Sequence, residues 1–387
     1  MSKQEQVFKF HQDDHQDGSE QEVQEQTWQP LSQTQLMWRQ FRKHRLGVIG
    51  AWVLAFIYLM VILAPFLAPS DYMLQRRNYV NHPPTKIRFV DAEGQFSWRP
   101  FVYGTKRTRD PITLAVSWDI DTTKKYPLYF LVRGNSYKFL GIESDLHLLG
   151  VDKDSGGQFF LFGTDRFGRD LFARTLYGGR VTLSVGVFGI IVSFVIGIVM
   201  GGISGYYGGW VDNIIQRLIE LLRSFPRIPL WLALSMILPP TWSSVKVYFG
   251  VVTILAFLDW TGLARVVRGQ FLNLRSKEFV EGAVALGVSD AGIIFRHILP
   301  NIMSYLIVTA TLSFPGMIIG ESSISFLGLG IKEPMTSWGL LLKDAQSMDV
   351  LLMQPWLMIP GLFIIVSVLA FNFMGDALRD AFDPYSN

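Results

Sequence analysis

Residues 46–68 read LGVIGAWVLAFIYLMVILAPFLA and hold no charged side chain. As a helix rising about 1.5 Å per residue, such a run reaches across a hydrocarbon core of about 30 Å. Arg39, Arg42, Lys43 and Arg45 stand just before it and, by the positive-inside rule, anchor the amino end in the cytoplasm. The run starts too late and lasts too long for a cleaved leader, so a retained first span is expected. Composition points the same way. Only 17% of the 387 residues are charged, against about 25% in soluble domains. Those charges crowd into residues 1–45 and 70–180, as in a polytopic membrane protein.

The formal charge of +3, with no stripe of Lys and Arg interleaved with aromatics, excludes a nucleic-acid partner. With no cysteine, disulfides, thiolate metal sites and cysteine nucleophiles are excluded too. Residues 1–35, rich in Gln, Glu, Asp and His, read as a disordered cytoplasmic tail in which His11 and His15 are solvated. No HExxH or GxSxG motif is present, which argues against a membrane-embedded enzyme. No internal repeat argues for a self-contained secondary transporter.

Residues 70–162 form a polar insert with short alternating or aromatic runs at 86–90, 126–132 and 158–162, punctuated by Gly and Pro. A small β-rich extracytoplasmic domain is expected there. Its Lys and Arg residues do not offend the positive-inside rule, because long loops are exempt. Residues 163–387 then read as a core with five more spans, for an all-α polytopic protein of about six. The second span covers 182–205. Gly189, Ser193, Gly197, Gly201, Gly205 and Gly209 recur at every fourth position, a small-residue stripe that lets a neighbouring helix approach closely. The third span is expected over an amphipathic stretch, 211–225, and an apolar one, 228–238. The fourth, fifth and sixth are placed at 247–267, 304–327 and 356–374. Six spans put both termini inside. Arg-rich loops then face the cytoplasm, while the short outer loops hold only Lys246, Lys332 and Lys343.

The loop at 276–301 has the grammar of helix, turn, helix. Ser276 can cap the first helix, Gly287 can end it, and Ser289 with Asp290 can start the second. The first helix is expected to expose Gly282, Ala283 and Ala285 beside Glu281, a surface suited to a groove on another protein.

This loop resembles the EAA loop of binding-protein-dependent ABC transport permeases. Glu281, Ala283, Gly287, Leu299 and Pro300 match, while Gly282 replaces an Ala and His297 an Ile. Residues 162–170 (FGTDRFGRD), 177–180 (YGGR), 321–330 (ESSISFLGLG) and 372–384 narrow the resemblance to the C-type permease of oligopeptide and dipeptide importers, whose relatives include nickel and glutathione systems. It covers residues 36–384, and the insert is similar to that of a long-insert subgroup. The resemblance implies a bacterial inner-membrane pore shared with a second, B-type permease subunit. Two cytoplasmic ATPase subunits carry ATP and Mg, and an extracytoplasmic binding protein delivers the substrate. Glu281, Gly282, Ala283, Ala285, Gly287, Ser289, Arg296 and Pro300 would form the coupling surface. The chain has no GxxxxGK[ST] phosphate loop, so ATP is expected on another polypeptide and no cofactor on this one.

Charges within spans are costly and are candidates for function. Glu321, near the outer end of the fifth span, is a candidate for the substrate path, weighed against a hydrogen-bonded structural role. Asp259 is expected to pair with Arg265 or Arg268. Asp165, Arg166, Arg169, Asp170 and Arg180 are expected to shape the outer mouth before the second span through capping and ion pairing. Asp376, Arg379 and Asp380 read as inner-surface packing or ATPase contact.

Overall fold

The computed structural model describes residues 33–109, 111–112, 116–139 and 141–382. Most of the amino-terminal tail, with His11 and His15, lies outside them. Helix α1 (Gln33–Lys43) leads into α2 (Arg45–Ile62), whose first turn is capped by the His44 side chain accepting from the Gly47 amide at 3.1 Å. The first span stops at Ile62, before Pro65 opens the one-turn helix α3 (Ala64–Leu67).

The insert is a four-stranded antiparallel sheet in the order β1 (Arg88–Val90), β2 (Phe96–Arg109), β3 (Val116–Phe139), β4 (Ile142–Val151). Strand β3 serves two hairpins. Its first half pairs with β2 from Arg109↔Val116 to Phe101↔Pro127, and its second half with β4 from Leu128↔Val151 to Phe139↔Ile142. Pro127 has no amide donor, and the hand-over falls at that residue. The run at 158–162, read as a strand, joins no sheet and ends in a turn at 161–162. Its aromatic rings serve packing instead: Phe159 is buried against Val102 and Leu128, and Phe160 against His82. His82 is 2% exposed, donates or accepts at 2.9 Å through Nε2 with Thr105, and meets Trp118 edge-on. Burial pushes its imidazole pKa down to about 4. The His82 amide donates to Thr164 Oγ1 at 2.8 Å, and its carbonyl accepts from the Thr164 amide at 2.9 Å, tying insert to core.

Helix α4 (Leu171–Tyr207) is 37 residues long, about 55 Å, and so extends well beyond a hydrocarbon core. The small-residue stripe lies on it. A Cβ on Gly201 would stand 2.4 Å from the Ala264 carbonyl oxygen, and one on Gly205 2.6 Å from Phe271 Cβ. Gly197 abuts Leu263, and Ser193 donates to the Ala256 carbonyl at 3.3 Å. All these partners sit on α7 (Ser244–Leu274); Gly189 faces Met317 on a later helix. Gly209 departs from the expectation. The helix ends at Tyr207, and Gly209, at φ 58°, starts the next one with no atom near an added Cβ.

That next helix, α5 (Gly209–Arg223), and α6 (Arg227–Ser235) divide the expected third span into two pieces. Pro226 lacks an amide hydrogen and holds extended backbone, so the two cannot fuse. Nine residues of α6 rise only about 14 Å. Among the described residues, five single helices are long and apolar enough to cross a membrane: Arg45–Ile62, Leu171–Tyr207, Ser244–Leu274, Asp290–Phe326 and Pro355–Phe382.

After α7 come α8 (Glu278–Ala285), α9 (Asp290–Gly292), a π-helical turn (Ile293–Ile298) and α10 (Leu299–Phe326). The short α11 (Trp338–Leu342) and α12 (Met348–Met353) precede α13 (Ile359–Phe382), which packs on α2 and α10. Phe314 stacks on Phe371 with centroids 4.1 Å apart, joining α10 to α13.

Candidate functional site

The loop between α7 and α10 folds as helix, turn, helix, with three local differences from the sequence expectation. Ser276 does not cap α8: Lys277 holds that position, and the Ser276 hydroxyl donates back to Asn273 at 3.3 Å. Second, Ala283 points inward and is buried with Val280 against Phe271, Ile293 and Ile298. An eight-residue helix needs an apolar face to stay docked, and the small side chain supplies it. Third, the second helix does not stop at Leu299-Pro300 but runs into the span as one rod from Asp290 to Phe326. Pro300 cannot donate an amide hydrogen, and the ladder just before it widens, with the Leu299 amide reaching the Ile294 carbonyl.

Gly287 ends α8 at φ 75°. Its amide donates to the Val284 carbonyl and the Val288 amide to that of Ala283, the paired bonds of a Schellman turn. Ser289 Oγ accepts from the Gly292 amide at 3.3 Å and caps α9. Glu281, Gly282, Ala285, Arg296 and Pro300 are exposed. An added Cβ on Gly282 would meet nothing within 4 Å. Elsewhere on α8 and its turn the free surface is more apolar than small: Phe279, Val284 and Leu286 are all exposed, Leu286 at 85%. A knob that exposes an acidic group and several apolar side chains suits insertion into a partner's cleft.

The knob is tied to α4. Asp290 accepts from the Tyr206 hydroxyl at 2.8 Å and from that of Tyr207 at 3.3 Å. Beside it, Arg275 donates to the Tyr206 carbonyl at 3.2 Å, and Arg268 grips Asp212 at 2.5 Å through both Nε and Nη2. Sequence reasoning missed this junction. Its one signal was a tyrosine pair at the end of the small-residue stripe. Arg268 is thus engaged with Asp212, and Asp259 pairs instead with Arg227, on α6, at 3.1 Å. The packing of α6 on α7 brings that arginine from a distant part of the chain.

At the opposite end of α4, Asp170 caps the helix, accepting from the Phe172 amide at 2.9 Å. Asp165 accepts from Arg169 Nε at 2.7 Å and from Arg174, and both arginines also reach Glu333, at 2.7 and 3.1 Å. Arg169, Arg174 and Asp165 are each 2% exposed or less. Burial raises the Glu333 carboxyl, but hydrogen bonds and charge from Arg169 and Arg174 outweigh it and hold the group below its ordinary range. Arg166 pairs with Asp344 at 3.2 Å. Arg180 instead donates to the last carbonyls of α2, Val61 and Ile62, each at 2.8 Å. Arg174 and Glu333 were not singled out from the sequence, since nothing local distinguishes them.

Glu321 is fully buried. Its carboxylate accepts from Thr182 at 2.9 Å, Ser325 at 2.7 Å and Ser322 at 3.4 Å, and Thr182 in turn accepts from the Trp338 amide. It joins α4, α10 and α11 within this chain. Asp380 lies 3.8 Å from His44.

The fold is thus a set of long apolar helices with a protruding, tethered knob between two of them. Residues 193–385 match the family described as binding-protein-dependent transport system inner membrane component, and residues 32–84 match the N-terminal TM domain of oligopeptide transport permease C. The chain is 44% identical to the oligopeptide transport system permease protein OppC of Haemophilus influenzae, over 81% of this chain and 99% of that protein. It is 32% identical to the dipeptide transport system permease protein DppC of Bacillus subtilis, over 92% and 86% respectively, and 46% identical to OppC of Escherichia coli over 60% and 74%. The chain belongs to the C-type permeases of the oligopeptide and dipeptide ABC importers, as a transport subunit of the inner membrane.

Proposed function

We propose that this chain forms half of a peptide-import pore beside a second permease subunit. An extracytoplasmic binding protein feeds the pore, and two cytoplasmic ATPase subunits, which carry ATP and Mg, drive it. Both termini and the 276–301 loop lie in the cytoplasm, and the β-rich insert lies outside. The observation that carries the reading is the exposed Glu281 on α8, a helix that also exposes Phe279 and Val284, with the loop held to α4 through Asp290. A knob of this build transmits movement only if it is stiff, and the Schellman turn, the Ser289 cap and the tyrosine clamp make it so. Closure of the ATPases would then push on α10 and α4 together and switch the bundle between inward-open and outward-open states.

The test is Glu281→Arg in membrane vesicles containing the complete importer. The variant is expected to reach the membrane at normal levels and to lose ATP-driven peptide uptake. Normal uptake by that variant would remove the docking role.

A further inference from the structure

At the outer end of α4, between the 166–174 segment and the 328–344 loops, lies a cavity of about 200 Å³. Arg166, Arg174, Lys332 and Lys343 line it, together with Glu333 and Asp344. The two acids are spoken for, Asp344 by Arg166 and Glu333 by Arg169 and Arg174. Lys332 and Lys343 have no ion-pair partner among the described residues. The Nε of Arg174, a side chain 2% exposed, is buried without a hydrogen-bond partner. Gly328 keeps the space open for one ammonium: a Cβ there would stand 2.7 Å from Lys343 Nζ.

Short outer loops of a membrane protein are ordinarily poor in Lys and Arg. Of the three lysines that the proposed orientation puts in such loops, two converge on this cavity. Four cations facing two acids, with one of the cations a buried guanidinium that keeps a free donor, form a receptor for an anion. A volume of this size takes one end group, not a whole oligopeptide.

We propose that this cavity binds the free carboxylate at the carboxy terminus of the transported peptide, positioning it at the outer mouth of the pore. The assignment rests on the peptide-importer reading above, and two measurements separate the two. In the reconstituted importer, uptake of trialanine and of its carboxy-terminal amide is compared for the wild type and for Lys332→Gln/Lys343→Gln. Any preference of the binding protein itself is common to both and cancels in the ratio. The acid-to-amide rate ratio is expected to fall about five-fold in the double variant, roughly 1 kcal/mol, and to be restored by Lys332→Arg/Lys343→Arg. An unchanged ratio would overturn the site. Equal loss for both peptides would also overturn it, by moving the lysines' role to capture of the binding protein. The second measurement needs no partner subunit: acylation rates of Lys332 and Lys343 on the purified chain, with millimolar trialanine or its amide. Protection by the acid alone is expected even if the chain proves not to import peptides. Equal protection, or none, contradicts the assignment.

Discussion

Asp290 accepts hydrogen bonds from both Tyr206, at 2.8 Å, and Tyr207, at 3.3 Å, so the 276–301 loop and the carboxy-terminal end of α4 share one carboxylate. The opposite end of that helix is held by Arg174, through Asp165 and Glu333. A rod fixed at both ends carries displacement without needing any change inside the membrane.

Removing the inner fixture should loosen the loop before it harms the fold. Asp290→Ala is expected to speed amide exchange across 278–298 by about five- to ten-fold, as the loss of a partly exposed charge-assisted bond of about 1 kcal/mol requires. Exchange within α4 should stay unchanged. Uniformly faster exchange across both segments would show that Asp290 supports the whole bundle and not the loop.

The outer fixture is buried and should be costly to break. Asp165→Ala leaves two buried guanidinium groups to share Glu333 alone and is expected to cost about 3–5 kcal/mol, read as a large fall in the detergent melting temperature. Lys138→Ala removes an exposed pair with Glu143 and should change stability by less than about 0.5 kcal/mol. Similar effects from the two would contradict the burial argument.

Gly201→Ala is expected to destabilise the α4–α7 contact by about 1–3 kcal/mol, because its Cβ would meet the Ala264 carbonyl at 2.4 Å. Gly262→Ala, on the facing helix but in open space, should be neutral or slightly stabilising. Thermal unfolding of the two purified variants makes the comparison.

The insert should weaken in acid. The pKa of His82 is about 4 in the fold, against about 6.5 for a free imidazole, so the unfolded chain takes up the extra proton between those values. Its contribution, about 3 kcal/mol, is present above pH 6.5 and is lost as the pH falls through 4. Protease cleavage within the insert should therefore rise more steeply between pH 7 and 4.5 in the wild type than in His82→Gln. Parallel profiles would show that His82 does not set the acid limit.

These contrasts also mark what the sequence made legible. Period and apolar length placed the spans, because burial in lipid leaves a one-dimensional trace: five of the expected spans correspond to long helices. Gly287 and Ser289 were readable because a left-handed turn and a helix cap each demand particular residue types locally. Ala283 was misassigned to the surface because a small side chain suits either face, and only the packing against Phe271 decides. The third span was expected over 211–225 and 228–238, and those two stretches form separate helices because Pro226 interrupts the backbone ladder between them. Arg227–Asp259, Arg174–Glu333 and Tyr206–Asp290 join residues 32, 159 and 84 positions apart, and such pairings leave no periodic signal.

The docking of Glu281 against an ATPase subunit is open to a direct positional test. The chain contains no cysteine, so single cysteines report position cleanly. Glu281→Cys and, on the insert, Glu143→Cys would each carry a short photo-crosslinker in the complete importer, purified from native membranes. The account predicts an ATPase adduct from position 281 and none from 143. An ATPase adduct from 143, or none from 281 while the assembled importer still hydrolyses ATP, would contradict it.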